Sequence, residues 1–142
     1  MSRRVYSPML AKVAEKAFTD KDWIFEVKWD GFRAISYVGQ TLSVKSRNGK
    51  ELKYNFPELA ELTALAKNLV VDGEIVVMNQ GKPDFQALLE RGQAVSAREI
   101  ERRTEEAPAT YVVFDVLEKD EQPLTKLPLM ERKKILKDSL TE

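Results

Sequence analysis

Glycine turns cut the middle of the chain into short β-rich runs that pair back on themselves, and this punctuation constrains the fold more than any other feature. Residues 33–38 alternate loosely between apolar and polar, Gly39-Gln40 breaks the run, and residues 41–46 return. That is the pattern of a hairpin. Asn48-Gly49 follows directly after Arg47 as a second turn, of a dipeptide type that accepts positive φ. The longer apolar run 69–78 ends at Asn79-Gln80-Gly81, and another spans residues 109–117.

Helical signals fill the intervals. Asn55 and Pro57 mark a start, with Leu59, Leu62, Leu65 and Ala66 at helical spacing and Asn68 as the stop. Pro83-Asp84 leads into a helix over residues 85–90 that stops at Gly92. Ser96-Ala97-Arg98-Glu99 is a capping box for a helix toward Arg103. Residues 129–140 read as a basic amphipathic helix. Ahead of all these, residues 9–18 are expected to form a short helix, and Trp23-Ile24-Phe25 to open a strand that continues to Asp30. The expected fold class is α+β, antiparallel β-sheets flanked by helices, in one unit covering residues 1–142.

The densest charge pattern lies in that first expected strand, Glu26-Val27-Lys28-Trp29-Asp30-Gly31-Phe32-Arg33. Strand alternation would put Glu26, Lys28 and Asp30 on one face and Val27 and Trp29 on the other. Gly31 would permit the turn after it. Read alone, Lys28 is an exposed strand lysine in a salt bridge; held between carboxylates and a guanidinium, it has the makings of an activated amine.

Composition narrows the chemistry. The chain has no cysteine and no histidine, so there is no thiolate nucleophile, no zinc-thiolate site and no imidazole base. Catalysis has to run on Lys, Arg, Asp, Glu, backbone groups and an oxygen-loving cation. No apolar run reaches the roughly 18 residues of a membrane span, and no apolar segment follows Met1-Ser2-Arg3-Arg4, so a cytoplasmic protein with no membrane partner is expected. The net charge of zero hides a gradient: residues 1–50 carry ten Lys/Arg against five Asp/Glu, and residues 51–122 carry eight against fifteen. A basic first third can meet phosphates, but it is too weak to name a nucleic-acid binder by itself.

Three common motifs are missing: the P-loop, the Gly-x-Gly-x-x-Gly fingerprint and the Gly-x-Ser-x-Gly elbow. What remains is a series of charged clusters: Lys28-Trp29-Asp30-Gly31-Phe32-Arg33, Ser46-Arg47-Asn48-Gly49, Asp72-Gly73-Glu74 and Tyr111-Val112-Val113-Phe114-Asp115. In this order they resemble the motifs of the covalent nucleotidyltransferases, the first matching K-x-D-G-x-R in full. Pro8-Met9-Leu10-Ala11, residues 23–26 and Pro83-Asp84-Phe85-Gln86 are most similar to ATP-dependent DNA ligases of the bacterial and archaeal end-joining type. The resemblance covers about residues 8–140 and implies the nucleotidyltransferase (ATP-grasp-like) domain of those ligases.

The resemblance also implies roles. Lys28 would attack the α-phosphate of ATP, release pyrophosphate and hold AMP as a phosphoramidate. AMP would then pass to the 5′-phosphate of nicked or broken double-stranded DNA before sealing, in repair or recombination. Arg33 or a bound cation would favour the free amine of Lys28; Asp30 opposes this unless engaged by Arg33 or a metal. Arg47 would hold ribose or phosphate, Glu74 the ribose hydroxyl or a metal-bound water, Phe114 the adenine face and Glu26 the adenine edge. Mg²⁺ suits such an oxygen-rich set.

Two later ligase motifs, a carboxylate motif and a phosphate-gripping lysine motif, have no match after Asp115, and Glu131-Arg132-Lys133-Lys134 reads as a solvated helical face. The OB-fold domain of such ligases has no counterpart either. The chain is therefore expected to be the N-terminal part of an adenylation domain, weakly active or inactive alone. An RNA ligase or capping-type enzyme, or a non-catalytic ligase-like interaction module, are the other readings.

Overall fold

Antiparallel pairing begins at Phe32, and the computed structural model, which describes residues 3–140, is built outward from there. Strand β1 (Phe32–Val38) turns at Gly39 into β2 (Leu42–Ser46). A 3-10 turn (Pro57–Glu61) runs into the one-turn helix α1 (Leu62–Leu65). Strands β3 (Leu69–Asn79) and β4 (Lys82–Pro83) form a second hairpin, followed by helices α2 (Phe85–Gln93) and α3 (Ala97–Glu106). Strands β5 (Ala109–Lys119) and β6 (Gln122–Pro123) precede helix α4 (Leu129–Ser139).

The sheet order is β2-β1-β3-β5-β6, with β4 added to β3. The central β3 pairs antiparallel with both β1 and β5, which explains why its sequence is apolar on either side of Asp72-Gly73-Glu74. Ala34, Val44, Phe56, Ile75, Val77 and Leu88 form one core cluster, and Val38, Leu62, Leu69, Val71, Val116 and Leu136 a second. These two clusters seat α2, the 3-10 turn, α1 and α4. A third and smaller cluster of Ile35, Tyr37, Val70 and Leu117 meets Tyr6 of the leading segment.

Caps and turns follow the sequence closely. Asp84 caps α2 by accepting from the Ala87 N–H (3.0 Å), and Ser96 caps α3 by accepting from the Glu99 N–H (3.1 Å). Gly49 and Gly81 take the positive φ of their turns, +85° and +79°. The buried Arg91 ties the helices together through two bonds to Glu58 (2.8 and 2.7 Å) and one each to the carbonyls of Ala107 and Asn55. Among the described residues no helix is long and apolar enough to cross a membrane.

The leading segment departs from expectation. Residues 9–18 form no helix and residues 23–30 no strand. Ten residues fall short of the ~12–15 that an isolated helix needs in water. A strand must find partners for its backbone groups, and β1, β3 and β5 pair among themselves from Phe32 onward. Trp23, Phe25 and Val27 are accordingly 61%, 62% and 69% exposed. Phe18 meets Trp23 edge-on at 5.3 Å and Phe25 at 5.6 Å. Glu26, Lys28 and Asp30 therefore do not share a strand face.

Candidate active site

A cleft of about 520 Å³ opens beside the start of β1, and its walls include Gly31, Arg33, Arg47, Lys50, Glu74 and Gly92. Of the charged lining residues, Arg47 and Lys50 stand against one carboxylate, Glu74, while the charge of Arg33 is matched from behind by Asp72, so the lining favours anions modestly. The Arg47 loop is shaped by its own backbone. The Gly49 N–H donates to the Ser46 carbonyl (2.9 Å), and the Ser46 N–H donates to the Lys50 carbonyl (2.8 Å); Ser46 Oγ accepts from the Lys50 N–H (3.0 Å). Glu51 anchors the far side, accepting from Ser43 Oγ (2.6 Å) and the Val44 N–H (2.7 Å). Burial pushes the Glu51 carboxyl pKa up, but these bonds and Lys45 outweigh it and leave it below the ordinary value. Glu51 is a shaping residue that the sequence did not single out.

Arg33 is fixed from below. Its Nε and Nη2 donate to the two oxygens of Asp72 at 2.7 and 2.6 Å, and Nη2 also reaches the Met9 carbonyl at 3.2 Å. Asp72 is 1% exposed, so this is a buried bidentate pair of the strong kind. Asp72 hydrogen bonding raises the Arg33 pKa further, against burial. Arg33 is engaged by Asp72 and not by Asp30, so its charge is largely matched before it can act on Lys28. Asp72-Gly73-Glu74 lies in mid-β3, within the run 69–78 that the sequence marks as β-rich. Gly73 is required because a Cβ there would lie 2.4 Å from the Val112 carbonyl oxygen, and Gly31 because a Cβ would lie 2.1 Å from that of Ile75. Beyond Gly73, Glu74 emerges half-buried into the cleft. Burial raises its carboxyl pKa above the ordinary value, opposed by Arg33 and the Gly31 N–H.

A second group lies on β5 and α4. Asp115, 6% exposed, accepts from Arg132 Nε at 2.8 Å and Nη2 at 3.2 Å. Lys133 donates to Glu26 Oε1 and to the Phe114 carbonyl, and its ammonium lies 5.9 Å from the centroid of the Phe114 ring. Arg33 approaches the same ring at 4.9 Å. The solvated-face expectation for residues 131–134 thus fails for Arg132, which is 7% exposed, and for Lys133. An aspartate at the end of the apolar run 109–117 signalled a buried charge in want of a cation; nothing in the sequence signalled Lys133.

The structure thus gathers Arg33, Arg47 and Glu74 on one cleft, and Glu26 and Phe114 around Lys133. It does not bring Lys28 or Asp30 into the cleft lining. Lys28 is exposed, three residues ahead of Gly31, and among the described residues it enters no ion pair. No group of three or more candidate metal ligands occurs among the described residues. Glu74 can thus contribute one oxygen to a cation whose other ligands are phosphate and water, as Mg²⁺ tolerates.

Comparison with known proteins adds the family. A model of the ATP dependent DNA ligase domain matches residues 8–142. The SPbeta prophage-derived DNA ligase-like protein LigB of Bacillus subtilis (strain 168) is 38% identical over 133 residues, covering 92% of this chain and 46% of that protein. DNA ligase C of Mycobacterium tuberculosis is 35% identical over 138 residues, covering 95% and 38%. The solved structure of mycobacterial DNA ligase D complexed with ATP and MES superposes with a TM-score of 0.65 at 26% identity, covering 80% of this chain and 35% of that one. The chain spans less than half the length of these relatives.

Proposed function

The chain belongs to the ATP-dependent DNA ligase domain family, and from that premise we propose that it works as the nucleotide-charging part of a ligase. Lys28 takes AMP from ATP, and the AMP is passed on to the 5′-phosphate of a break in double-stranded DNA. The observation that carries this reading is the cleft after the Lys28 motif, where Arg47 and Lys50 are set against the single carboxylate Glu74 beside the Asp72-locked Arg33.

In this reading the triphosphate enters the cationic cleft. Arg47, on its turn above β2, grips phosphate or ribose oxygens with a planar donor fork. Glu74 accepts from a ribose hydroxyl, and its raised pKa fits an acceptor partly shut off from water. Arg33, locked to Asp72, acts as a fixed wall that positions Gly31 and the residues before it. Phe114 offers a ring face and Glu26 an acceptor to the adenine, while Asp30 lies between Lys28 and Gly31, near enough to Glu74 to add negative potential. Mg²⁺, brought with the triphosphate and touched by Glu74, would neutralise phosphate charge. Lys28 Nζ, once deprotonated, attacks the α-phosphorus; the N–P bond forms as the bond to pyrophosphate breaks. The cleft is anchored on paired strands and Lys28 is not, so charging requires residues 21–30 to close onto the sheet.

Equilibrium titration with ATP and GTP in the presence of Mg²⁺ tests the assignment. ATP binding that weakens at least tenfold in Arg47→Ala, with the fold intact by circular dichroism, is the expected result. ATP binding indifferent to Arg47→Ala and to Glu74→Gln would remove the cleft from the account.

A further inference from the structure

Lys133 fills the place that the proposed function gives to adenine. Its ammonium sits against the Phe114 ring and donates both to Glu26 and to the Phe114 carbonyl. An adenine at this site would use the same groups: the ring face for stacking and the acceptor oxygens for its exocyclic amino group. A cation over an aromatic face and a hydrogen-bond donor on a carboxylate are what Lys133 already supplies.

Two cations approach Phe114, and they are not equivalent. Arg33 is held by both oxygens of Asp72, itself 1% exposed. Lys133 reaches out from α4 to Glu26, whose side chain is 47% exposed on a segment without strand or helix. Its long stem can swing its charge into solvent, whereas freeing Arg33 would leave Asp72 buried and unpaired. Lys133 is the one that can leave.

We propose that Lys133 is a gate residue of the base subsite, an internal stand-in for adenine that the incoming base must displace. The proposal rests on the reading that Phe114 and Glu26 form that subsite. Displacement has a consequence for the nucleophile, because the Lys133–Glu26 contact holds the segment that carries Lys28 two residues later. Base binding replaces that contact, so occupancy of the base subsite and release of the Lys28 segment from α4 become one event. The gate also lowers apparent affinity, since only the fraction of molecules with Lys133 displaced can take the base. A contact made of one partly exposed ion pair and one cation–π approach is worth roughly a three- to tenfold change in binding.

The sign of the effect separates this from the alternatives. Removing a lysine near a polyanion weakens ATP binding if Lys133 merely attracts phosphate or props Glu26 in place. Removing a gate tightens it. The experiment is equilibrium binding of ATP and of adenosine to the wild-type chain, Lys133→Met and Phe114→Leu, with thermal unfolding as the check of fold. The gate gives Lys133→Met about three- to tenfold tighter binding of both ligands, adenosine included because the competition is for the base. Binding detectable only in Lys133→Met supports it equally. Unchanged, weaker or undetectable binding in Lys133→Met overturns the gate, while loss of binding in Phe114→Leu keeps the base subsite. If Phe114→Leu binds like wild type, the subsite itself is wrong and the gate falls with it. Should Lys133→Met fail to fold, wild-type chain carrying ¹³C-labelled lysines gives the answer by NMR. Saturating adenosine must move the Lys133 side-chain signal toward that of a solvated lysine, and a signal that stays put overturns the proposal.

Discussion

Arg33 and Lys28 stand five residues apart in one motif, yet they live under different physical conditions. Arg33 lies on a strand paired on both sides, with its guanidinium spent on a buried carboxylate. Lys28 lies on an exposed segment whose aromatic neighbours Trp23 and Phe25 are more than half in water. The contrast divides the labour within the motif. The strand half sets the wall of the cleft before any ligand arrives; the leading half carries Lys28, the nucleophile we propose, on a segment with neither strand nor helix. Gly31 joins the two halves at a point where the backbone passes so close to Ile75 that no side chain fits.

The contrast can be broken most forcefully at its rigid end. Arg33→Met leaves Asp72 charged, buried and alone, and is expected to cost about 3–5 kcal/mol of stability, read as a shift of the denaturation midpoint. A loss under 1 kcal/mol would mean that the pair is open to water. Gly73→Ala should follow at roughly 1–3 kcal/mol, because the new methyl has to push β5 away from β3. Denaturant unfolding of that variant with an unchanged midpoint would show that the two strands are looser than they look.

Glu74→Gln is a smaller change of opposite sign. The carboxyl pKa of Glu74 is raised by burial, so the folded state holds its proton more tightly than the unfolded chain. Stability is then greatest below the unfolded value and declines as pH rises through the folded one. The amide removes that decline. Glu74→Gln should melt slightly higher than wild type at neutral pH, with the gain gone in acid, while losing ATP affinity. A variant that is less stable at neutral pH would reverse the assignment. Lys28→Ala should do least of all to stability, within about 0.5 kcal/mol of wild type, since its side chain is exposed and outside the ion pairs of the described residues. A larger loss would place Lys28 inside the packed half.

From Phe32 onward the architecture was legible in the sequence, because its elements carry local marks: Asn48-Gly49, Pro57, Asp84, Ser96 with Glu99, and the apolar run through β3. The first thirty residues were not. Trp23 to Asp30 alternates well enough for a strand, but alternation records which face a strand would bury and says nothing about whether a partner exists. The candidate site divides in the same way. Arg47 and Glu74 were visible as motif residues and lie on one cleft. The pairing of Arg33 with Asp72 spans 39 residues; its trace in the sequence was a carboxylate inside an apolar run, which cannot be buried without a cation. Lys133 looked like one more charge on a helix, and only the return of α4 over β5 brings it to Phe114 and Glu26.

The account turns on one covalent bond at Lys28. The direct test is incubation with α-labelled ATP and Mg²⁺, denaturation, and peptide mapping of the retained label, for wild type and for Lys28→Ala. The expected result is slow but measurable incorporation of AMP on the peptide containing Lys28, acid-labile as a phosphoramidate is, and absent from Lys28→Ala. Label that persists in Lys28→Ala, or that maps to another lysine such as Lys50 or Lys133, would contradict the assignment of Lys28 as the nucleophile.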